Sequence, residues 1–111
     1  LPVEHCIMHT NGWELNNKIK DLKYIKCEKE TFGSRKLPLM IDALGYSAYE
    51  IELCGVCTDI CVVTNALLLK TRFPEATIKV DASCCAGTTP EMHQKALDVM
   101  RSCQLEVVNN G

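Results

Sequence analysis

No apolar run in this chain approaches the roughly 18 residues that a membrane-spanning helix needs, so no membrane partner is expected. There is no basic stripe to hold nucleic acid and no acidic block of the kind that forms a solvated tail. Net charge is only −2 and the pI lies near 5.9. The sequence has no internal repeat, low-complexity tract, linker or signal-peptide pattern. It also has no initial methionine: Leu1-Pro2-Val3-Glu4 reads like the middle of a protein. A fragment is therefore expected, such as one piece of a cleaved chain. At 111 residues there is room for one small domain. A hydrophobic content of 47% with 23% charged residues suits an ordinary globular one.

Cysteine is the residue present in excess. The eight are Cys6, Cys27, Cys54, Cys57, Cys61, Cys84, Cys85 and Cys103, an even number that raises the idea of a secreted disulfide scaffold. Such scaffolds are rich in loops and poor in long apolar elements, and this chain is the reverse. Several of its cysteines fall on strand or helix faces where a small apolar residue fits. A reducing cytoplasm is the expected location.

Residues 2–18 read as a loop, with Asn11-Gly12 and Asn16-Asn17 as weak turn signals. Residues 23–28 alternate loosely and suggest a strand. Leu37, Leu39, Met40, Ile41 and Leu44 suit a helix, with Gly45 just past its end. Residues 50–54 form the next expected strand. From Asp59 or Ile60 to about Phe73, the positions Val62, Val63, Ala66, Leu67 and Leu69 mark a largely buried helix. Pro74 stops it. Residues 77–80 suggest a short strand. Thr89-Pro90-Glu91-Met92 is a strong helix start, with Met92, Ala96, Leu97 and Met100 as the buried face. Residues 105–108 suggest the last strand. Strands alternating with helices imply an α/β fold, a parallel sheet flanked by helices with right-handed crossovers. Active sites in such sheets lie beyond the carboxyl ends of the strands.

One segment carries the chemistry. Ile51-Glu52-Leu53-Cys54-Gly55 is a β-prone run ending in glycine, Val56-Cys57-Thr58-Asp59-Ile60 is a short turn, and Cys61 then opens the apolar-periodic helix. Unpaired N–H groups and the helix dipole favour an anion at a helix N-terminus. A thiolate held there is a nucleophile.

Gly55-Val56-Cys57-Thr58-Asp59-Ile60-Cys61-Val62 closely resembles the nucleophile motif of the isochorismatase-like cysteine hydrolases, above all the nicotinamidases. The resemblance implies a Rossmann-like, three-layer α/β/α fold. It makes Cys61 the catalytic nucleophile and Val56–Cys57 a cis peptide bond, and it makes the backbone N–H groups of Cys57 and Cys61 the oxyanion hole. Glu28-Lys29-Glu30-Thr31-Phe32-Gly33-Ser34 looks like the family's lysine segment. Lys29 is then the triad lysine, stabilising the thiolate and the tetrahedral intermediate; without the motif it reads as a solvated surface lysine. His5-Cys6-Ile7-Met8-His9-Thr10-Asn11-Gly12-Trp13 resembles the nicotinamidase segment that supplies a metal-ligating histidine. His5 is the candidate ligand for a divalent metal, zinc first, with iron or manganese as alternatives. Here His9 stands where the family usually has glycine, and no aromatic precedes His5. Asp81, before Cys84-Cys85-Ala86-Gly87, reads as polar support near the site or, more simply, as a capping or turn residue.

No residue matches the family's general-base aspartate, which lies on its first strand; Asp59 belongs to the nucleophile turn. In the family's order the strand at Tyr24 would be the third and that at Glu50 the fourth, with the first and second between them. Residues 1–111 are therefore expected to be the C-terminal part of a single hydrolase domain that needs an N-terminal partner segment to fold and act. The implied function is hydrolysis of nicotinamide to nicotinate and ammonia through a thioester on Cys61, a step in NAD salvage. A homo-oligomer is expected. Carbamoyl or ureido compounds and the vinyl ether of isochorismate are the other family substrates. The presence of Cys61 argues against a strict isochorismatase, and a catalytically dead scaffold is another outcome. A non-catalytic metal or thiol module built on Cys54-x-x-Cys57, Cys61 and Cys84-Cys85 is a reading from another class. Against it, Cys54 lies in an expected strand, and no second C-x-x-C stands at ribbon spacing.

Overall fold

In the computed structural model, which describes residues 24–44 and 50–111, three strands run parallel: β1 (Glu50–Val56), β2 (Thr77–Ala86) and β3 (Glu106–Val108). Their spatial order is β1-β2-β3. Helices α1 (Lys36–Ala43), α2 (Val63–Arg72) and α3 (Pro90–Ser102) precede, connect and flank them. A π-helical turn, Thr58–Val62, joins β1 to α2. Parallel neighbours cannot be joined by a tight hairpin, so each connection needs a crossover. α2 and α3 supply the two crossovers here.

The core lies where the two crossover helices meet β2. Ile78, Val80 and Ala82 alternate along β2 and are buried, as period two requires of one sheet face. Val62, Ala66 and Leu69 face them from the π-helical turn and α2, and Ala96, Leu97 and Met100 from α3. Leu97 and Met100 are fully buried, and burial of such side chains stabilises by about 1.5–3 kcal/mol each. α3 begins as its sequence suggests: the Thr89 hydroxyl accepts the Met92 N–H at 3.0 Å, and Pro90 occupies the first turn.

Several expectations need correction. Residues 24–28 form no strand; Tyr24 and Ile25 remain 48% and 64% exposed. Alternation permits a strand, but a strand exists only where its backbone groups find a ladder partner, and the described sheet offers this segment none. β2 runs six residues beyond Val80, although Asp, Ser and Ala are poor strand formers. Its extension pairs Cys85 with Gly55 and Ala86 with Val56, after a register shift opposite Leu53 and Gly55. Met92 is 41% exposed rather than buried, because the first turn of α3 overhangs a core that begins one turn later at Ala96. Gly45 and the loop at residues 2–18 lie outside the described residues. Among the described residues, no helix is long and apolar enough to cross a membrane.

Candidate functional site

Gly55, at φ +125°, turns the chain at the carboxyl end of β1. A side chain is strained in that conformation, and glycine is not. The next peptide bond, Val56–Cys57, is cis. Cys57 is extended, and its carbonyl accepts two N–H groups, from Ile60 at 3.0 Å and from Val62 at 3.1 Å. The second bond spans five residues, which is π-helical spacing; such turns are frequent at functional sites. Cys61 is the fourth residue of this turn, and the regular α-helix starts only at Val63. The sequence reading, which opened an α-helix at Asp59 or Ile60, is corrected on this point. Periodicity over a long window cannot register one wider turn at the start.

Lys29, 32 positions earlier, reaches this turn. Its Nζ donates to Cys61 Sγ at 3.3 Å and to the Thr31 carbonyl at 3.0 Å. Asn65, one turn beyond Cys61, ties the two segments together. Its Oδ1 accepts the Ser34 N–H at 2.7 Å, and its Nδ2 donates to the carbonyls of Phe32 at 3.0 Å and Cys61 at 2.9 Å. Gly33 lies close on α2: a Cβ there would stand 2.7 Å from Leu68 Cδ1 and 2.9 Å from Thr64 Cγ2. Ser34, itself buried, accepts the Leu37 N–H at 3.1 Å and so starts α1. The loop that carries Lys29 is thereby fixed at both ends. A cavity of about 390 Å³ adjoins it, lined by Glu28, Lys29, Thr31, Ser34 and Arg35 among others; Cys61 lies outside that lining.

A second pair of contacts holds the turn from the far side. Thr58, fully buried, shares a 2.7 Å hydrogen bond with His93 Nδ1 on α3. The Asp59 carboxylate accepts the Thr88 N–H at 2.9 Å and the Thr88 hydroxyl at 2.6 Å. Burial alone would raise the Asp59 pKa, but these two donors outweigh it and hold the carboxyl below its ordinary value. Gly87 lets the loop after β2 lie against α3, since a Cβ there would meet His93 Cβ at 2.7 Å and its backbone at 2.8–2.9 Å. Sequence reasoning missed Asn65, Thr88 and His93. Nothing in their spacing distinguishes them from surface polar residues, because their partners are remote in sequence.

Asp81 lies inside β2, paired with Val108 of β3, so the expected capping or turn role is corrected. Its carboxylate accepts the Ser83 hydroxyl at 2.6 Å, the Ser83 N–H at 3.1 Å and the Asn109 amide at 3.1 Å, and the Ser83 hydroxyl is the main cause of its lowered pKa. All seven described cysteines are free thiols. Burial pushes the Cys85 thiol up, which favours the neutral form. Among the described residues, no group of three His, Cys, Asp or Glu side chains is placed to hold a metal ion. The described residues thus do not by themselves fit a metal site, and His5 lies outside them.

The family model for the isochorismatase domain matches residues 1–110. A search of the curated proteins found no match. Among solved structures, the nicotinamidase of Bacillus subtilis is similar at a TM-score of 0.78 and 26% identity, covering 95% of this chain and 62% of that one. The nicotinamidase of Staphylococcus aureus is similar at a TM-score of 0.61 and 28% identity, covering 71% of this chain and 51% of that one. The pyrazinamidase of Pyrococcus horikoshii, solved in complex with zinc, shares the fold at a TM-score of 0.74 and 24% identity, covering 95% and 61% of the two chains. This chain therefore spans less than two thirds of the length of these structures. A family match across all but its last residue leaves one conclusion: the chain belongs to the isochorismatase family.

Proposed function

We propose that the protein is a cysteine-dependent hydrolase of small carboxamides, with nicotinamide as its substrate. In this reading, residues 1–111 are the C-terminal part of one hydrolase domain, and the remaining strands and the general-base aspartate come from outside this chain. The observation that carries it is the hydrogen bond from Lys29 Nζ to Cys61 Sγ, with Cys61 at the carboxyl end of a parallel strand. The similarity to two nicotinamidases, at 26% and 28% identity, supports the substrate.

The aspartate takes the Cys61 proton, and the thiolate attacks the carboxamide carbon. The N–H groups of Cys57 and Cys61 receive the developing oxyanion. Lys29 balances the negative charge on sulfur before attack and stays beside it afterwards. The C–N bond breaks and ammonia leaves with the proton from the aspartate. Water then cleaves the thioester, which releases nicotinate and restores the thiol. His5 is the proposed ligand of a divalent metal, and the zinc in the pyrazinamidase structure makes zinc the first choice; no step above runs through it. A homo-oligomer in a reducing cytoplasm is part of the same reading. Carbamoyl and ureido compounds are the second choice of substrate.

The test is ammonia release from nicotinamide by the product of the complete reading frame, with and without chelator, beside the Cys61→Ala variant. Release lost in Cys61→Ala at unchanged circular dichroism is expected, a drop of about a thousandfold or more. Loss on chelation supports the metal. Cys54 is exposed, so Cys54→Ala should keep full activity. Full activity in Cys61→Ala overturns the nucleophile, and no release from a folded, metal-loaded protein overturns nicotinamide.

A further inference from the structure

We infer that Asn65 is a positioning residue that sets the distance between the Lys29 ammonium and the Cys61 sulfur; this rests on the reading of Cys61 as nucleophile. One side chain makes three hydrogen bonds, two to the Lys29 loop and one to the cysteine it serves. Its Oδ1 takes the Ser34 N–H, and its Nδ2 is shared between the carbonyls of Phe32 and Cys61.

The geometry explains why asparagine stands here. A bond to the carbonyl four residues back is a common habit of a short polar side chain on a helix, and a hydroxyl would serve for it. Reaching outward to a donor and an acceptor on a second segment needs an oxygen and an NH₂ on one planar group. Among the described residues, the Lys29 loop is tied to α2 through the Asn65 side chain and to the π-helical turn through the Lys29–Cys61 bond. Besides the Asn65 bonds and the Lys29–Cys61 bond itself, the loop's polar contacts among the described residues are local. Thr31 Oγ1 donates to the Gly33 carbonyl at 2.7 Å, and Ser34 Oγ accepts the Leu37 N–H. These shape the loop but do not locate it on α2. Packing of Gly33 against Leu68 and Thr64 sets how closely the loop approaches. That apolar contact leaves the loop free to slide along the helix, and the Asn65 bonds fix its register. A shift of the ammonium by about 1 Å is enough to cost up to a hundredfold in rate.

The test is a double-mutant cycle between Asn65→Leu and Lys29→Met in the product of the complete reading frame. It is read by the rate of Cys61 alkylation with iodoacetamide, followed by peptide mapping, and by turnover of nicotinamide. Asn65→Leu should slow both by about ten- to a hundredfold. In the Lys29→Met background the same change should have almost no further effect, within about twofold. Losses that multiply in the double variant overturn the inference, because Asn65 would then act on the fold and not through Lys29. So does an Asn65→Leu protein that labels like wild type. If Asn65→Leu is unfolded by circular dichroism, Asn65→Ser carries the same cycle, since its hydroxyl is too short to reach both Phe32 and Ser34. Cys61 labelling in wild type no faster than exposed Cys103 overturns the nucleophile reading and this inference together. Fast labelling that depends on Asn65 only when Lys29 is present, without turnover of nicotinamide, upholds the inference and rejects only the substrate.

Discussion

Lys29 Nζ lies 3.3 Å from Cys61 Sγ and donates to it, across 32 positions of sequence. The same ammonium also donates to the Thr31 carbonyl at 3.0 Å. Two acceptors on different segments aim the charge at the sulfur, and a freely solvated lysine would have neither.

Removing that charge should therefore cost turnover and leave the fold. Lys29→Met is expected to lower kcat/KM by about a hundredfold, with no change in the urea midpoint, because the side chain is exposed. Lys29→Arg keeps the charge but not its compact shape, and should fall between the two. Steady-state kinetics on both variants checks this. Wild-type rates in Lys29→Met would return Lys29 to a surface role.

The two glycines that permit close approach should differ in how replaceable they are. At Gly87 an added methyl meets the His93 backbone at 2.8–2.9 Å, and a helix backbone cannot turn aside. Gly87→Ala should destabilise by about 1–3 kcal/mol. At Gly33 the nearest atom is the end of the flexible Leu68 side chain, which can move, although Thr64 Cγ2 beside it is held by the bond from its hydroxyl to the Ile60 carbonyl. Gly33→Ala should cost less, about 1 kcal/mol or under. Urea denaturation of the two variants side by side decides the order, and a Gly87→Ala midpoint equal to that of wild type would contradict the packing described.

Asp59 should make the turn sensitive to acid. Its carboxyl is held below the ordinary value in the folded protein, where burial is outweighed by the Thr88 hydroxyl and N–H. A depressed folded pKa means that the folded state favours the carboxylate. The stabilisation is then fully present above the unfolded value of about 4 and is lost as pH falls through the folded value. Wild type should melt above Asp59→Asn at pH 6 to 7, and the gap should close below pH 4. A gap that stays constant over that range would show that the Asp59–Thr88 contact carries no charge-dependent stability.

How far the fold and the site are legible in sequence depends on the range of the forces involved. α3 can be read from Thr89 and Pro90 because a cap and a first-turn proline act within one turn. α1 can be read from its leucine spacing, and the start of β1 from its apolar run. The end of β2 could not, since residues 81–86 extend only because β1 and β3 supply partners. The expected strand at residues 23–28 is not formed over the described residues 24–28 for the mirror-image reason. Cys61 could be singled out locally, as a thiol at the start of a helix after a β-prone run, whereas Lys29 and the cis bond at Val56–Cys57 came from motif resemblance and not from any local force. Asn65, Thr88 and His93 carried no local signal at all.

The sequence alone determined the alternation of strands and helices, the turn after Gly55 and the cysteine that turn presents. Local propensity, capping and period act between near neighbours, so their outcome can be read along the chain. Only the tertiary structure decided that Lys29 meets Cys61, that Asn65 spans the two segments, and that Thr58 and Asp59 are held by His93 and Thr88. Those contacts join residues about 30 positions apart. They form because burial of the shared core brings α2, α3 and the loops onto one sheet, and no short-range rule records that.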